Sequence, residues 1–128
     1  MAFMIHTADS LAIEYLPCGA ICPKAGMALT QTSGNLAIAA GTTKPTYISL
    51  YDSPAAIAAG TVIPVLRIDD QMVFETCWSI NASTIKLGDK VTLHAFDGLR
   101  VTATTNNGVA EVVYIEGTNT GDMCRVRF

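Results

Sequence analysis

The end of the chain is written in alternation. Residues 90–96, 99–104, 109–115 and 123–128 are short runs in which apolar and polar side chains take turns. That period belongs to strands with one face on a core and one on solvent. Between the runs stand Asp97-Gly98, Asn106-Asn107-Gly108 and residues 117–121 with a glycine at each end. Such residues enter the backbone conformations that tight hairpins require. In the last run Cys124, Val126 and Phe128 share one face, and Arg125 and Arg127 share the other. The pattern predicts a four-strand antiparallel meander and commits the chain to an all-β fold.

The first half repeats the style with shorter runs. Residues 26–32 lead through Ser33-Gly34-Asn35 into 36–39, a second hairpin. Residues 46–50 and 72–76 read as strands. Residues 61–68 read as a strand too, and Pro64 within them predicts an edge or bulged position. Residues 53–60, with Pro54 near the start and Gly60 at the end, fit either one helical turn or a plain loop. Fifteen threonines support the β reading, because branching at Cβ suits an extended backbone. The expected architecture is a small antiparallel β-barrel or sandwich with at most one or two short helical turns. Residues 1–16 are expected to form an extended N-terminal arm and 17–128 a single β-domain. A helix over 9–16, capped by Asp9 or Ser10, is the alternative for the arm.

Half of the 128 residues are hydrophobic and 15% are charged. That balance excludes a disordered chain. Eight basic residues against eleven acidic ones, net charge −3, speak against a nucleic-acid partner. No apolar run approaches the ~20 residues of a membrane helix, and the first residues lack a cationic, apolar leader. A cytosolic site of synthesis is expected, with Cys18, Cys22, Cys77 and Cys124 as free thiols. Only five of the nineteen charged residues fall within 1–64. Interface cores are depleted of Lys, Glu and Asp, so the imbalance favours assembly over a monomer.

Candidate chemistry is sparse. Cys18 and Cys22, with His6, His94, Cys77 or Cys124, could in principle hold zinc, but no second closely spaced pair completes a ligand set. Two packed thiols in a Pro/Gly-rich bend are the simpler reading. His94 reads as an exposed strand histidine. Asp69-Asp70-Gln71 reads as a solvated turn rather than an acid pair, since neighbouring strand residues face opposite ways. Arg100, Arg125 and Arg127 could grip a carboxylate-rich partner, or pair across strands with Glu111 or Glu116. Phe74, Cys77 and Trp78 could plug the core or anchor an interface. No phosphate cradle or nucleophile elbow is present in the sequence. A non-enzymatic protein without cofactor is expected.

A resemblance sharpens this. Tyr15-Leu16-Pro17-Cys18-Gly19-Ala20 and Lys24-Ala25-Gly26-Met27-Ala28-Leu29 resemble segments of small head proteins of tailed bacteriophages. So do residues 60–68 leading into Met72-Val73-Phe74-Glu75, and the close from Gly121-Asp122 to Arg127-Phe128. The family is that of the capsid decoration, or cement, proteins, and the likeness is one of rhythm across most of the chain. It implies a structural virion protein on the capsid exterior that bridges major capsid protein subunits, as a homo-oligomer with a trimer favoured. A tail-tube, head-completion or fibre-base component is the alternative. The resemblance also implies an N-terminal arm that adds a strand to its partner. The residues expected to bind are Phe3, Ile5, Leu11, Ile13 and Tyr15 of the arm, with Arg125 and Arg127. Removal of residues 2–15 is then expected to leave a folded domain that assembles poorly.

Overall fold

A computed structural model describes residues 2–128. Ten strands make two sheets: β1 (Met4–Thr7), β2 (Ala12–Cys18), β3 (Ala28–Thr32), β4 (Asn35–Ile38), β5 (Tyr47–Ser49), β6 (Thr61–Arg67), β7 (Val73–Cys77), β8 (Lys90–Val91), β9 (Ala110–Ile115) and β10 (Met123–Arg127). The fold is all-β, as the alternation predicts. Among the described residues there is no helix, and residues 53–60 are a loop.

Strands β2 to β6 close a small barrel in the order β2-β4-β3-β5-β6. The β3–β4 hairpin turns at Ser33 and Gly34, both with positive φ (51° and 85°), the pair of left-handed residues that a two-residue hairpin requires. The longest ladder joins β2 to β6 in antiparallel register from Ala12↔Arg67 to Cys18↔Thr61. Cys18, Leu29, Leu36, Ile63 and Val65 fill the barrel interior with Met27 and Tyr47. Pro64 is not at an edge, because β6 lies between β2 and β5. The Pro64 carbonyl accepts from Leu50 N. Its missing N–H faces the same side, just past the end of β5, so only one ladder bond is lost.

The remaining strands form a five-stranded sheet in the order β1-β7-β10-β9-β8. Its inner face packs on the outside of the barrel. Phe74, Val112, Val126, Trp78 and Leu93 share one core with the barrel residues Ala28, Ile48 and Leu66. The meander is shorter than the sequence implies. Of 90–96 only β8 is a strand, and 99–104 are held by single bridges, Leu93↔Val101 and Trp78↔Val101. Leu93 is diverted to the barrel loop, where its N–H meets Gly41 O. The Thr92 and Thr102 hydroxyls bond each other at 2.6 Å, and Thr104 N donates to Thr102 Oγ1. Backbone bonds still join the two runs, Thr92 N to Thr104 O, Thr102 N to Thr92 O and His94 N to Arg100 O, and the threonine hydroxyls add to them.

The N-terminal segment is extended but is not a free arm. β1 pairs with β7, with the register shifting between Ile5 and Thr7. β2 is a stave of the barrel, which excludes a helix over 9–16. Phe3 is buried, edge-on to Phe128 with ring centroids 5.4 Å apart. Its N–H donates to Gly26 O at 3.0 Å. Gly26 permits this approach: a Cβ there would sit 2.8 Å from Phe3 O, and its φ is +83°.

Candidate interaction surface

The seven residues expected to bind a partner divide by environment. Phe3 belongs to the core, so it is withdrawn from the contact set. Its neighbours do face outward: Ile5, Leu11, Ile13 and Tyr15 are all exposed, Tyr15 by 70%. Met4 joins them, with every residue of β1 exposed. This apolar exposure falls on the charge-poor half of the sequence. It coincides with two unfinished strand edges.

The first edge is β1, the outermost strand of its sheet. The second belongs to β2. Its barrel neighbour β4 meets it at a single parallel position, Cys18↔Leu36. Gly60 N donates to Cys18 O, whereas Gly19 N donates to Leu36 O. Even-numbered residues of β2 therefore direct their backbone polar groups at β6, and odd-numbered ones direct them away. Among the described residues, no strand pairs with that side of β2 before Cys18. Ile13 and Tyr15 thus present both an apolar side chain and an open N–H and C=O.

Arg125 and Arg127 stand on the outer face of the five-stranded sheet. Arg125 Nε donates to Glu75 Oε1 at 3.0 Å, and its guanidinium lies 4.5 Å from the Tyr114 ring centre. The registers Met4↔Glu75, Arg125↔Glu75 and Arg125↔Tyr114 align Met4, Glu75, Arg125 and Tyr114 in one row across four strands. Met4 and Tyr114, both exposed, bracket the ion pair. Arg127 holds Glu111 through Nη2 at 2.6 Å. Arg100 lies elsewhere, with Asp97. The three arginines therefore do not form a single basic strip. Cross-strand pairing accounts for Arg127 with Glu111, while Arg125 takes Glu75, a partner that sequence spacing does not indicate.

The other candidates have structural employment. Trp78 is fully buried, and its Nε1–H donates to Gly117 O at 2.8 Å. With Phe74 and Cys77 it is a core plug. Asp69 Oδ1 accepts from Gln71 N and Met72 N, which makes 69–71 the expected turn. Cys18 is in the barrel interior, and Cys22 donates to Ser53 O. Among the described residues, no three His, Cys, Asp or Glu converge as a metal site would need. His6 is exposed beside Thr7. An open cleft of about 440 Å³ runs past Lys44, Asp70, Lys90, Glu111 and Arg127. Its charged lining is mixed, three cations against two carboxylates. Glu14 and Arg67 close one end of the barrel by a bidentate pair, with the guanidinium over Tyr47.

No protein-family model matches the chain, and no curated protein does either.

His94 departs from its expected place. It sits in the 94–100 turn, half-buried, with Nδ1 3.2 Å from Asp97 Oδ1 and Nε2 3.3 Å from Arg100 Nη2. Asp97 also accepts from Leu99 N at 2.9 Å and from Arg100 at 2.8 Å. Partial burial pushes the Asp97 carboxyl upward, but the Leu99 N–H, Arg100 and His94 together outweigh it and hold it below the usual carboxylate value. Its ionised form therefore stabilises the fold above the ordinary carboxylate pKa. That contribution is lost as pH falls through the lower folded value. Asp97→Ala is expected to cost about 1 kcal/mol at neutral pH and to flatten the acid limb of the stability profile, read by urea melts between pH 2 and 7. The turn also carries Phe96, 82% exposed, which adds an aromatic knob to the surface.

Burial, and secondarily the neighbouring Cys77, push the Cys124 thiol up to about 12. Cys18 is also raised, chiefly by burial. Of the four thiols only Cys22 is partly exposed. Thiol titration of the native protein is expected to show one fast-reacting cysteine, abolished in Cys22→Ser, with the rest modified only on unfolding.

Proposed function

We propose that this chain is a non-enzymatic structural protein of a virion, which binds the outside of a capsid and stabilises the shell by bridging major capsid protein subunits. The observation that carries the reading is the exposed apolar N-terminal edge. Met4, Ile5, Ile13 and Tyr15 lie along two strands, with Leu11 just before the second, and the outer edges of both here have no strand partner among the described residues. Such an edge is a hazard for a protein that stays alone, and solitary proteins blunt theirs with charge, bulges or cover. Here the register shift in β1, Pro17 near the end of β2 and the ion pair of Glu14 serve that end in part, and the residues from Leu11 to Tyr15 are left open. Strand addition to β1 gives a partner main-chain hydrogen bonds, while Met4 and Ile5 offer side-chain contacts on its two faces. The Met4–Glu75–Arg125–Tyr114 row extends that contact across the sheet. The shell as partner rests on the resemblance of the quoted segments to capsid decoration proteins.

The test is co-purification from infected cells. A tag on this chain is expected to bring down the major capsid protein in mature particles. Recovery with tail components and no capsid protein contradicts the assignment.

A further inference from the structure

We infer that the open edge of β2 pairs with the same edge of a second copy of this chain, in antiparallel register centred on Ile13. Backbone groups of Ile13 and Tyr15 face outward, as derived from the opposed hydrogen bonds of Cys18 and Gly19. Leu11 continues the odd-numbered row one residue before the strand. A twofold axis at Ile13 sets Leu11 opposite Tyr15 of the second copy, Ile13 opposite its own equivalent, and Tyr15 opposite Leu11. All three side chains are more than half exposed in the single chain, at 57%, 53% and 70%. All three lie on one face, because alternate residues of a strand do. The sequence read backwards from Tyr15 to Leu11 thus meets its own apolar complement.

Charge selects the register. On the other face this pairing puts Glu14 opposite Ala12, a small side chain that leaves the Glu14–Arg67 ion pair undisturbed. Centring on Glu14 instead sets two carboxylates directly opposite, which is destabilising. Centring on Ile13 also matches the odd-numbered backbone groups, giving about six N–H···O bonds across the three pairs. Such an interface is isologous and closes at two copies. It therefore differs from the trimer that the family resemblance implies. It shares the β2 edge with the capsid reading, but that reading's strand addition and side-chain row lie on β1 and the outer face of the five-stranded sheet, so failure of the pairing leaves it standing.

Sedimentation velocity of the full chain over rising concentration tests it. The expected result is a shift toward twice the 13.5 kDa chain mass, abolished by Ile13→Glu. That variant sets two carboxylates at the axis, and circular dichroism checks that it keeps the wild-type fold. Hydrogen exchange is expected to slow at the Ile13 and Tyr15 amides as the dimer fills. A strictly monomeric wild type overturns the pairing, as does a dimer that Ile13→Glu leaves intact or one whose Ile13 and Tyr15 amides exchange freely. A monomer that still binds capsids overturns this inference alone.

Discussion

Deleting residues 2–15 is expected to unfold the protein rather than to free a domain from its arm. The deletion removes β1 entirely and the β2 positions Ala12 to Tyr15, four of the seven pairs in the longest ladder of the barrel. It also removes Phe3, which lies against Phe128, itself 5.7 Å from Phe74 by ring centres. Loss of Phe3 alone leaves a cavity in the shared core and is expected to cost about 3–5 kcal/mol. That is a large part of the roughly 5–15 kcal/mol by which a domain of this size is stable. Circular dichroism and urea melts distinguish the outcomes. A truncated chain with a cooperative transition and native β signal shows the segment to be dispensable. This reverses the expectation drawn from the sequence, where the same residues read as an arm. Apart from Phe3, most of their side chains are exposed as an arm's would be, but their backbone is built into both sheets.

Trp78→Ala is the point substitution with the largest expected effect, about 4 kcal/mol and more than about 10 °C in melting temperature. The indole is fully buried at the junction of both core walls. Its backbone is tied at both ends, with N donating to Asp122 O at 3.1 Å and O accepting from Gly121 N at 2.8 Å. Trp78→Phe separates packing from hydrogen bonding. It keeps most of the volume but leaves Gly117 O without the indole donor, for an expected cost of about 1–3 kcal/mol. Equal destabilisation by the two variants would show that the lost hydrogen bond, not the lost packing, dominates.

Local chemistry was legible in the sequence and long-range pairing was not. Ser33-Gly34 announces the β3–β4 hairpin because both residues must take positive φ there. Asp69-Asp70-Gln71 announces its turn because the carboxylate can reach the backbone two and three residues on. Pro64 misleads, since its cost depends on which neighbour its nitrogen faces, and that is set by where β5 ends. The run 90–96 misleads for a related reason. Its alternation suits a strand, but Leu93 is claimed by Gly41 from the barrel, so its pairing with 100–104 is broken into isolated bonds. At the surface, Leu11, Ile13 and Tyr15 were expected to face outward as residues of an arm, and they are exposed. Phe3 could not be told from Ile5, because its partner Phe128 lies at the far end of the chain. Glu75 was missed as the partner of Arg125 because the two meet only through the β7–β10 register.

The central claim is that the exposed N-terminal edge and its sheet face bind a capsid. Met4→Asp/Tyr114→Asp alters two exposed side chains at the ends of one row and leaves the core untouched. Sedimentation of purified protein with capsids assembled from major capsid protein alone measures the binding directly. The wild type is expected to pellet saturably with the shells, and the double variant to bind at least about tenfold more weakly. A wild type that stays in the supernatant, or a double variant that binds equally well, contradicts the account.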